Sequence, residues 1–248
     1  MGAGLLRRLT PRARRALCAL CWDAAGDAAA DNALRELFVQ QDLLQLRIDA
    51  AAIRYGRGTH PKHRLTGYHD FFCGRVRPGD RVLDVGCGYG AVAKSLSEAG
   101  AAVTAIDIDG ENIRLARARF GDAGIVFIEA DATRFLLTEP FEVVVLSNVL
   151  EHIEDRRSFL KRLLAQVKPV KLLLRVPAET RDWSVPLKRE LGLAHFNDPT
   201  HVVEYTEESF REEMEEAGLE VREMISRWGE IWAVISPAPP CDAPLKAG

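Results

Sequence analysis

The stretch that decides the fold reads Val82-Leu83-Asp84-Val85-Gly86-Cys87-Gly88-Tyr89-Gly90. An apolar run typical of a buried strand leads into a glycine-rich turn, and a helical pattern follows it. Glycine permits the tight turn and lets a ligand lie against bare backbone. The turn fits G-x-G-x-x-G/A through Gly86, Gly88 and Ala91, which by itself is weak support for a dinucleotide. A carboxylate at the strand end, Asp84, would repel a pyrophosphate but would suit a ligand that carries an ammonium and a sulfonium group.

Short β-rich runs alternate with helical runs after this turn. The predicted strands are Arg81–Val85, Ala102–Asp107, Ile125–Glu129, Glu142–Ser147 and Lys171–Val176, with helices near 90–99, 111–120 and 155–167 and a helical turn around 131–137. Nearly continuous apolar strands are typical of a parallel sheet that helices cover on both faces. After a helix at Glu207–Ala217, the runs Leu219–Ser226 and Glu230–Ser236 lie so close in sequence that only an antiparallel hairpin can join them. The sequence therefore predicts an α/β fold with a doubly wound, mostly parallel seven-stranded sheet and an antiparallel last strand.

Composition excludes several classes of protein. The chain has 248 residues, of which 47% are hydrophobic and 28% charged, and its net charge is −3. A disordered chain would have less apolar surface, and a general nucleic-acid binder would have a positive field. The sequence contains no run of about 18 apolar residues, so no membrane-spanning helix is predicted. Five cysteines are too few and too scattered for a disulfide scaffold, which favours a reducing, cytoplasmic setting.

The N-terminal part is predicted to be a helical appendage. Residues 1–22 contain five arginines and no acidic residue, so this basic segment is either a solvated helix or a weak contact with an anionic membrane surface. From Asp31 to Tyr55, apolar residues recur mostly at steps of three and four: Leu34, Leu37, Phe38, Leu44, Ile48, Ala52 and Ile53. This stripe predicts an amphipathic helix that packs on a neighbouring domain or on a second subunit, as in a homodimer. We predict an appendage over 1–58, the sheet domain over 59–236 with an insertion at 177–205, and a tail over 237–248.

Acidic residues follow the second and third predicted strands. Asp107 ends the second strand, where a carboxylate can accept hydrogen bonds from both hydroxyls of a ribose. The alternative is that Asp107 or Asp109 caps the next helix. Asp131 follows the third strand and either accepts from an adenine amino group or caps a helix.

Residues 80–236 resemble the class I S-adenosylmethionine-dependent methyltransferases. The resemblance rests on the glycine turn at 84–90, on Asp107, on Ala130-Asp131-Ala132 and on the run 141–153, FEVVVLSNVLEHI. It implies S-adenosylmethionine as the cofactor and a Rossmann-like methyltransferase fold. It also implies these cofactor contacts: Asp84, Gly86, Gly88 and Gly90 at the methionine part, Asp107 and Ile108 at the ribose, Asp131 and Ala132 at the adenine, and Ser147 and Asn148 facing the methionyl group.

More narrowly, the chain resembles bacterial methyltransferases that are encoded with glycan-assembly genes. The segments that carry this likeness are His60-Pro61-Lys62-His63-Arg64-Leu65, Tyr68-His69, Arg181-Asp182-Trp183 and Asp198-Pro199-Thr200-His201, the last followed by Glu204-Tyr205-Thr206. The likeness implies O-methylation of a sugar-containing or other small polar acceptor.

Three histidines are candidate bases for an acceptor hydroxyl. His152 follows the fourth strand, and His195 and His201 lie in the segment 177–205, which we interpret as a substrate lid. Open α/β sheets bind ligands at the carboxyl ends of their strands, which is the edge where these residues belong. A positioned base adds about 10²–10⁴-fold to the rate, and histidine titrates near neutral pH. For His152, a structural role is an equally good interpretation.

Two alternatives remain open. Asn148-x-x-Glu151-His152 resembles the E-x-x-E-H of small-RNA and ubiquinone-pathway O-methyltransferases, which use a divalent metal to hold acceptor hydroxyls. Asparagine in place of the first glutamate lowers the negative charge, so we do not expect a metal. Asn148, Glu151, His152 and His201 could still hold one weakly. The second alternative, an NAD-dependent oxidoreductase, is disfavoured by Asp84 and by the terminal hairpin.

Overall fold

The computed structural model describes residues 9–26, 29–134 and 139–239. The chain divides into two compact units. The helical unit is Met1–Lys62 with Ser184–His195, and the sheet unit is His63–Trp183 with Phe196–Gly248. The predicted bounds of the appendage, the insertion and the tail stay predictions, and most of the tail, 240–248, lies outside the described residues.

The helical unit contains α1 (Pro11–Gly26), α2 (Ala30–Tyr55) and α8 (Ser184–Glu190). Helix α2 ends where its sequence predicts, at Gly56, whose N–H donates to the carbonyl of Ala52 at 2.8 Å. The predicted apolar stripe is not buried as a whole: Leu44, Ile48 and Ile53 are 51%, 50% and 43% exposed. The periodicity predicted the helix correctly, but it did not determine which face the neighbouring helices cover.

The sheet unit contains seven strands in the order β3-β2-β1-β4-β5-β7-β6. The strands are β1 (Arg81–Val85), β2 (Ala102–Asp107), β3 (Val126–Glu129), β4 (Val143–Ser147), β5 (Lys171–Pro177), β6 (Leu219–Arg227) and β7 (Glu230–Pro237). The first five are parallel, and β7 runs antiparallel between β5 and β6. The predicted fold class is therefore confirmed.

Helices cover both faces of this sheet, as the continuous apolar strands predict. The helices of the unit are α3 (Lys62–Leu65, which begins at the unit boundary), α4 (Tyr68–Cys73), α5 (Ala91–Glu98), α6 (Gly110–Phe120), α7 (Arg156–Val167) and α9 (Glu207–Glu216). One face packs Leu83 and Val144 with Phe159 of α7 and Phe210 of α9. The other face packs Val82, Val143 and Val145 with residues of α4, α5 and α6. This core holds the carboxyl ends of β2, β1 and β4 side by side.

The segment 177–205 contains secondary structure that the sequence did not predict, namely a 3-10 turn at Glu179–Arg181 and helix α8. Helix α8 has seven residues, which is too short for the apolar periodicity that identifies a helix. Within the helical turn predicted around 131–137, residues 132–134 form a turn, and 135–138 lie outside the described residues.

Among the described helices, none combines the length and the apolar character that a bilayer crossing requires. The membrane contact predicted for residues 1–22 rests partly on residues 1–8, which lie outside the described residues.

Candidate active site

The glycine turn lies at the carboxyl end of β1, between β2 and β4. Gly86, Gly88 and Gly90 all have positive φ, at 67°, 52° and 79°, where a side chain would strain the backbone. A Cβ on Gly86 would also lie 2.6 Å from Val149 Cγ2. At Gly88, by contrast, no described atom lies within 4 Å of the position that a Cβ would take. The turn thus packs tightly against the β4 connection but leaves open space over Gly88.

Asp107 holds this turn in place. Its Oδ2 accepts from the N–H of Gly88 at 2.8 Å, and its Oδ1 accepts from the N–H of Asp109 at 2.9 Å and from Asn112 Nδ2 at 3.2 Å. The helix-capping alternative belongs to Asp109, which accepts from the N–H of Glu111 at 2.8 Å at the start of α6. A carboxylate has about four acceptor positions. The three protein donors therefore leave Asp107 room for one ribose hydroxyl without displacing Asn112.

Asp84 is a buried carboxylate directly beneath the turn. It is 1% exposed, and its Oδ2 has no hydrogen-bond partner among the described residues. Burial, with a smaller contribution from the negative charge of Asp107, raises the pKa of Asp84 to about 7. A buried carboxylate in need of a counter-charge fits a ligand that brings an ammonium group.

The Asp84 carboxyl is expected to make the ligand-free protein less stable as the pH rises. The pKa of Asp84 is raised in the folded state, so its contribution is fully present below pH of about 4 and is lost as the pH rises through about 7. Asp84→Asn should therefore melt at a higher temperature than the unsubstituted protein at pH 8, with a smaller difference at pH 5. Differential scanning calorimetry tests this, with Asp122→Asn at an exposed turn as the matched control. If the melting temperatures of Asp84→Asn and the unsubstituted protein differed equally at pH 5 and pH 8, the raised pKa of Asp84 would be contradicted.

The remaining predicted cofactor residues lie at the same edge. Asp131 accepts from the backbone N–H of Thr133 at 2.8 Å and from its hydroxyl at 2.6 Å, so it caps a turn in this state. Ala132 lines a narrow pocket with Val85 and Ile106. Ile108 is 69% exposed beside Asp107, which leaves an apolar surface open at the end of β2.

Ser147 and Asn148 end β4 in a strained turn. Asn148 has φ of 57°, and its N–H donates to the carbonyl of Arg175 at 2.7 Å. Its Oδ1 is buried and has no hydrogen-bond partner among the described residues. The hydroxyl of Ser147 accepts from Arg175 Nη1 at 3.2 Å. A non-glycine residue at positive φ with an unsatisfied oxygen is typical of a functional position.

His152 and His201 lie together. Their ring centroids are 4.8 Å apart in an edge-to-face arrangement. Thr200 donates its hydroxyl to Asp198 at 2.6 Å and therefore accepts from His152 Nδ1 at 2.9 Å. His201 Nδ1 donates to Glu204 Oε1 at 3.1 Å. Each ring is thus held through Nδ1–H, so the atom that can accept a further proton in a neutral ring is Nε2.

Glu151 lies beside the two histidines. It is fully buried, and neither of its carboxylate oxygens has a hydrogen-bond partner among the described residues. His201 Nε2 lies 4.0 Å from Glu151 Oε1. Burial raises the pKa of Glu151 to about 7. One potential ligand atom from each of Glu151, His152 and His201 lies within 4.8 Å of the others.

Burial and neighbouring groups set the protonation states of this cluster. Burial, with a smaller contribution from His201, lowers the pKa of His152, so its imidazole is neutral at pH 7. Burial alone would raise the pKa of Glu204, but hydrogen bonds from His201 and Asn197 and the charge of Arg181 outweigh it and lower that pKa. Glu204 therefore stays ionised and orients His201.

The third predicted base, His195, lies in the helical unit. Its Nδ1 is 3.2 Å from the carbonyl oxygen of Leu193. Its role in catalysis stays a prediction.

Two charged residues beside the site, Arg175 and Glu230, were not predicted from the sequence. Arg175 is 4% exposed, forms a two-point ion pair with Glu230 and lies 4.0 Å from the centre of the Tyr68 ring. An arginine inside the otherwise apolar run 172–177 was the available signal, because a buried charge requires a partner.

Curated proteins match part of this chain in sequence. An uncharacterized methyltransferase of Mycobacterium bovis is 45% identical over 89 residues, which cover 36% of this chain and 45% of that protein. The ubiquinone biosynthesis O-methyltransferase of Bordetella avium is 37% identical over 95 residues, which cover 37% of this chain and 39% of that protein. The chain therefore spans less than half the length of these curated relatives.

The fold is shared with proteins of known structure. The crystal structure of an S-adenosylmethionine-dependent methyltransferase from Methanosarcina mazei aligns with a TM-score of 0.56 at 21% identity, and it covers 68% of this chain and 97% of that one. The cofactor on which that neighbour depends is the one that the sequence predicts here. A family model described as a methyltransferase domain matches residues 57–224, more than half of the chain. With the seven-stranded sheet and its glycine turn, this match shows that the chain belongs to the methyltransferase domain family.

Proposed function

We propose that this protein is an S-adenosylmethionine-dependent O-methyltransferase whose acceptor is a small polar molecule, sugar-containing compounds among them. The observation that carries the proposal is the pair His152 and His201, each held by an oxygen partner at Nδ1. An imidazole held in this way can use Nε2 to remove a proton from a hydroxyl. The relative from Bordetella avium, an O-methyltransferase, supports the same type of acceptor atom.

The residues at the carboxyl edge fit the cofactor. The unpartnered Oδ2 of Asp84 suits the ammonium group of its methionine part, and the open space over Gly88 lets a ligand lie against the backbone. Asp107 has an acceptor position for a ribose hydroxyl. Asp131 and Ala132 would face the adenine, and Ser147 and Asn148 the methionyl group. When bound, the cofactor supplies an activated methyl group on a sulfonium.

The protein's own task is to orient the acceptor and to take up its proton. Methyl transfer from a sulfonium is an in-line displacement, so orientation of the acceptor oxygen contributes most of the rate. His201 would accept the hydroxyl proton at Nε2, and the ionised Glu204 would stabilise the imidazolium that forms. His152, which is neutral at pH 7, is the second group that can accept the proton. The cytoplasmic setting remains part of the proposal.

A second candidate is metal-assisted O-methylation of a diol. Three observations favour it: the unpartnered oxygens of Glu151, the clustering of Glu151, His152 and His201, and the partners that hold both imidazoles through Nδ1. Metal-binding histidines almost always donate their other N–H to an oxygen. A divalent cation at this cluster would supply a positive charge that lowers the pKa of an acceptor hydroxyl.

One set of measurements tests both candidates. Isothermal calorimetry should show binding of S-adenosylhomocysteine and none of NAD. A screen that measures S-adenosylhomocysteine release should then show acceptor-dependent turnover on a panel of monosaccharides, oligosaccharides and catechol. Retention of full activity in EDTA supports the histidine base, whereas loss in EDTA and recovery with Mg²⁺ or Mn²⁺ supports the metal. Binding of NAD instead of S-adenosylhomocysteine would contradict both.

A further inference from the structure

Helix α2 carries an apolar seam that is exposed among the described residues of the helical unit. The seam consists of Val39, Leu43, Leu46, Ala50 and Ile53, spaced alternately by four and three residues. The four larger side chains are 50%, 59%, 65% and 43% exposed in that order. This spacing is the a/d repeat by which helices pair in coiled coils.

Two other faces of α2 have partners within the helical unit. Leu37 and Leu44 line a shallow groove with Trp22 of α1. On another side, Lys188 of α8 lies 5.3 Å from the centre of the Phe38 ring and pairs with Asp42 at 2.5 Å. The seam is therefore a separate face of the helix, distinct from the one that holds α1 and from the one that holds α8.

The charges beside the seam favour a second copy of the same helix. With Leu43 and Ala50 at a, the g positions hold Asp42 and Asp49, and the e positions hold Arg47 and Arg54. In a parallel pair, each g residue faces the e residue five positions further along the other helix. Asp42 then faces Arg47 of the second copy, and Asp49 faces Arg54. An antiparallel pair would instead place arginine near arginine and aspartate near aspartate.

The four flanking side chains are accessible for these pairs. Arg47 and Arg54 are exposed, and in the described part of the chain no ion pair involves either of them. Asp42 contacts Lys188, and Asp49 contacts Gln45. About half of each aspartate side chain remains exposed. Charged residues on both sides of a narrow seam favour a pair of helices, because bundles of more helices need apolar surface at e or g as well.

We propose that α2 pairs in parallel with α2 of a second copy of this chain along Val39–Ile53, forming a homodimer. The seam is about two heptads long, so the dimer is expected to be reversible and dependent on protein concentration. The proposal does not depend on the reaction that the sheet unit performs.

Sedimentation velocity of the full chain over a range of concentrations tests the seam. The unsubstituted protein should sediment as a dimer at high concentration, and Leu43→Glu with Leu46→Glu should weaken self-association by more than about tenfold. Tyr55→Glu is the matched control, since Tyr55 is 78% exposed on the same helix but off the seam, and it should leave the dimer unchanged. A protein that is monomeric at every concentration, or a double variant that still dimerises, would overturn the proposal.

A charge exchange tests the parallel orientation. Asp49→Arg alone and Arg54→Asp alone should each weaken the dimer, because each places like charges opposite one another, and the double exchange should restore it. Failure of the double exchange to restore the dimer would overturn the parallel pairing. If the protein were monomeric and floated with anionic phosphatidylglycerol vesicles, the seam would bind a membrane surface and not a second copy, and the proposal would be overturned.

Discussion

His201→Ala is expected to lower turnover by about 100-fold or more, while the affinity for S-adenosylhomocysteine stays near that of the unsubstituted protein. Glu204 orients the His201 ring, whose Nε2 would accept the proton of the acceptor hydroxyl. Without His201, only His152 remains to accept that proton. Turnover is measured on the acceptor that the screen identifies, and affinity is measured by calorimetry. The following helix does not need His201, because Thr206 and Ser209 form its cap.

Two further variants separate the roles of the two ring nitrogens. His201→Asn keeps a donor near the position of Nδ1 and should fold as the parent does, yet remain as slow as alanine. Glu204→Gln should slow turnover less and move the pH profile, because an amide stabilises an imidazolium less well than a carboxylate does. Turnover of His201→Ala within a factor of a few of the parent would exclude both the base and the metal role for this residue.

Asp107→Ala is expected to weaken S-adenosylhomocysteine binding by about 100-fold. The substitution removes a hydrogen bond from a ribose hydroxyl to a carboxylate, which is worth about 1.5–3 kcal/mol. It also removes the acceptor that holds the N–H of Gly88 in the glycine turn. Since the N–H groups of Gly88 and Asp109 lose their acceptor, the melting temperature should fall as well. Calorimetry and a thermal melt measure the two effects.

The neighbouring Asp109→Ala is the matched control for this prediction. It removes only the cap of α6, which costs about 1 kcal/mol of stability, and it should leave cofactor affinity unchanged. If S-adenosylhomocysteine bound Asp107→Ala as tightly as the parent, Asp107 would be no more than a support for the glycine turn.

The positions of the predicted cofactor residues followed from the sequence because these residues lie at or just after strand ends. The glycine turn after β1, Asp107 at the end of β2 and Asn148 after β4 each have a fixed position once the strands are identified. Parallel strands bring those ends to one edge. The arrangement of the candidate bases was only partly predictable. His152 and His201 are 49 positions apart, and nothing local in the sequence shows that their rings touch or that Glu204 orients one of them.

By itself, the sequence determined the succession of elements along the chain: the apolar runs, the glycine turn, the acidic residues at the ends of the second and third strands, and the terminal hairpin. These are local properties, because the steric freedom of glycine and the period of apolar residues act within a few residues. Only the tertiary structure decided which groups are buried and which meet. It left Asp84 and Glu151 without hydrogen-bond partners among the described residues, gave Arg175 its partner Glu230, and exposed the seam of α2. Burial and pairing depend on segments that are distant in sequence, and desolvation then sets the charge of each buried group.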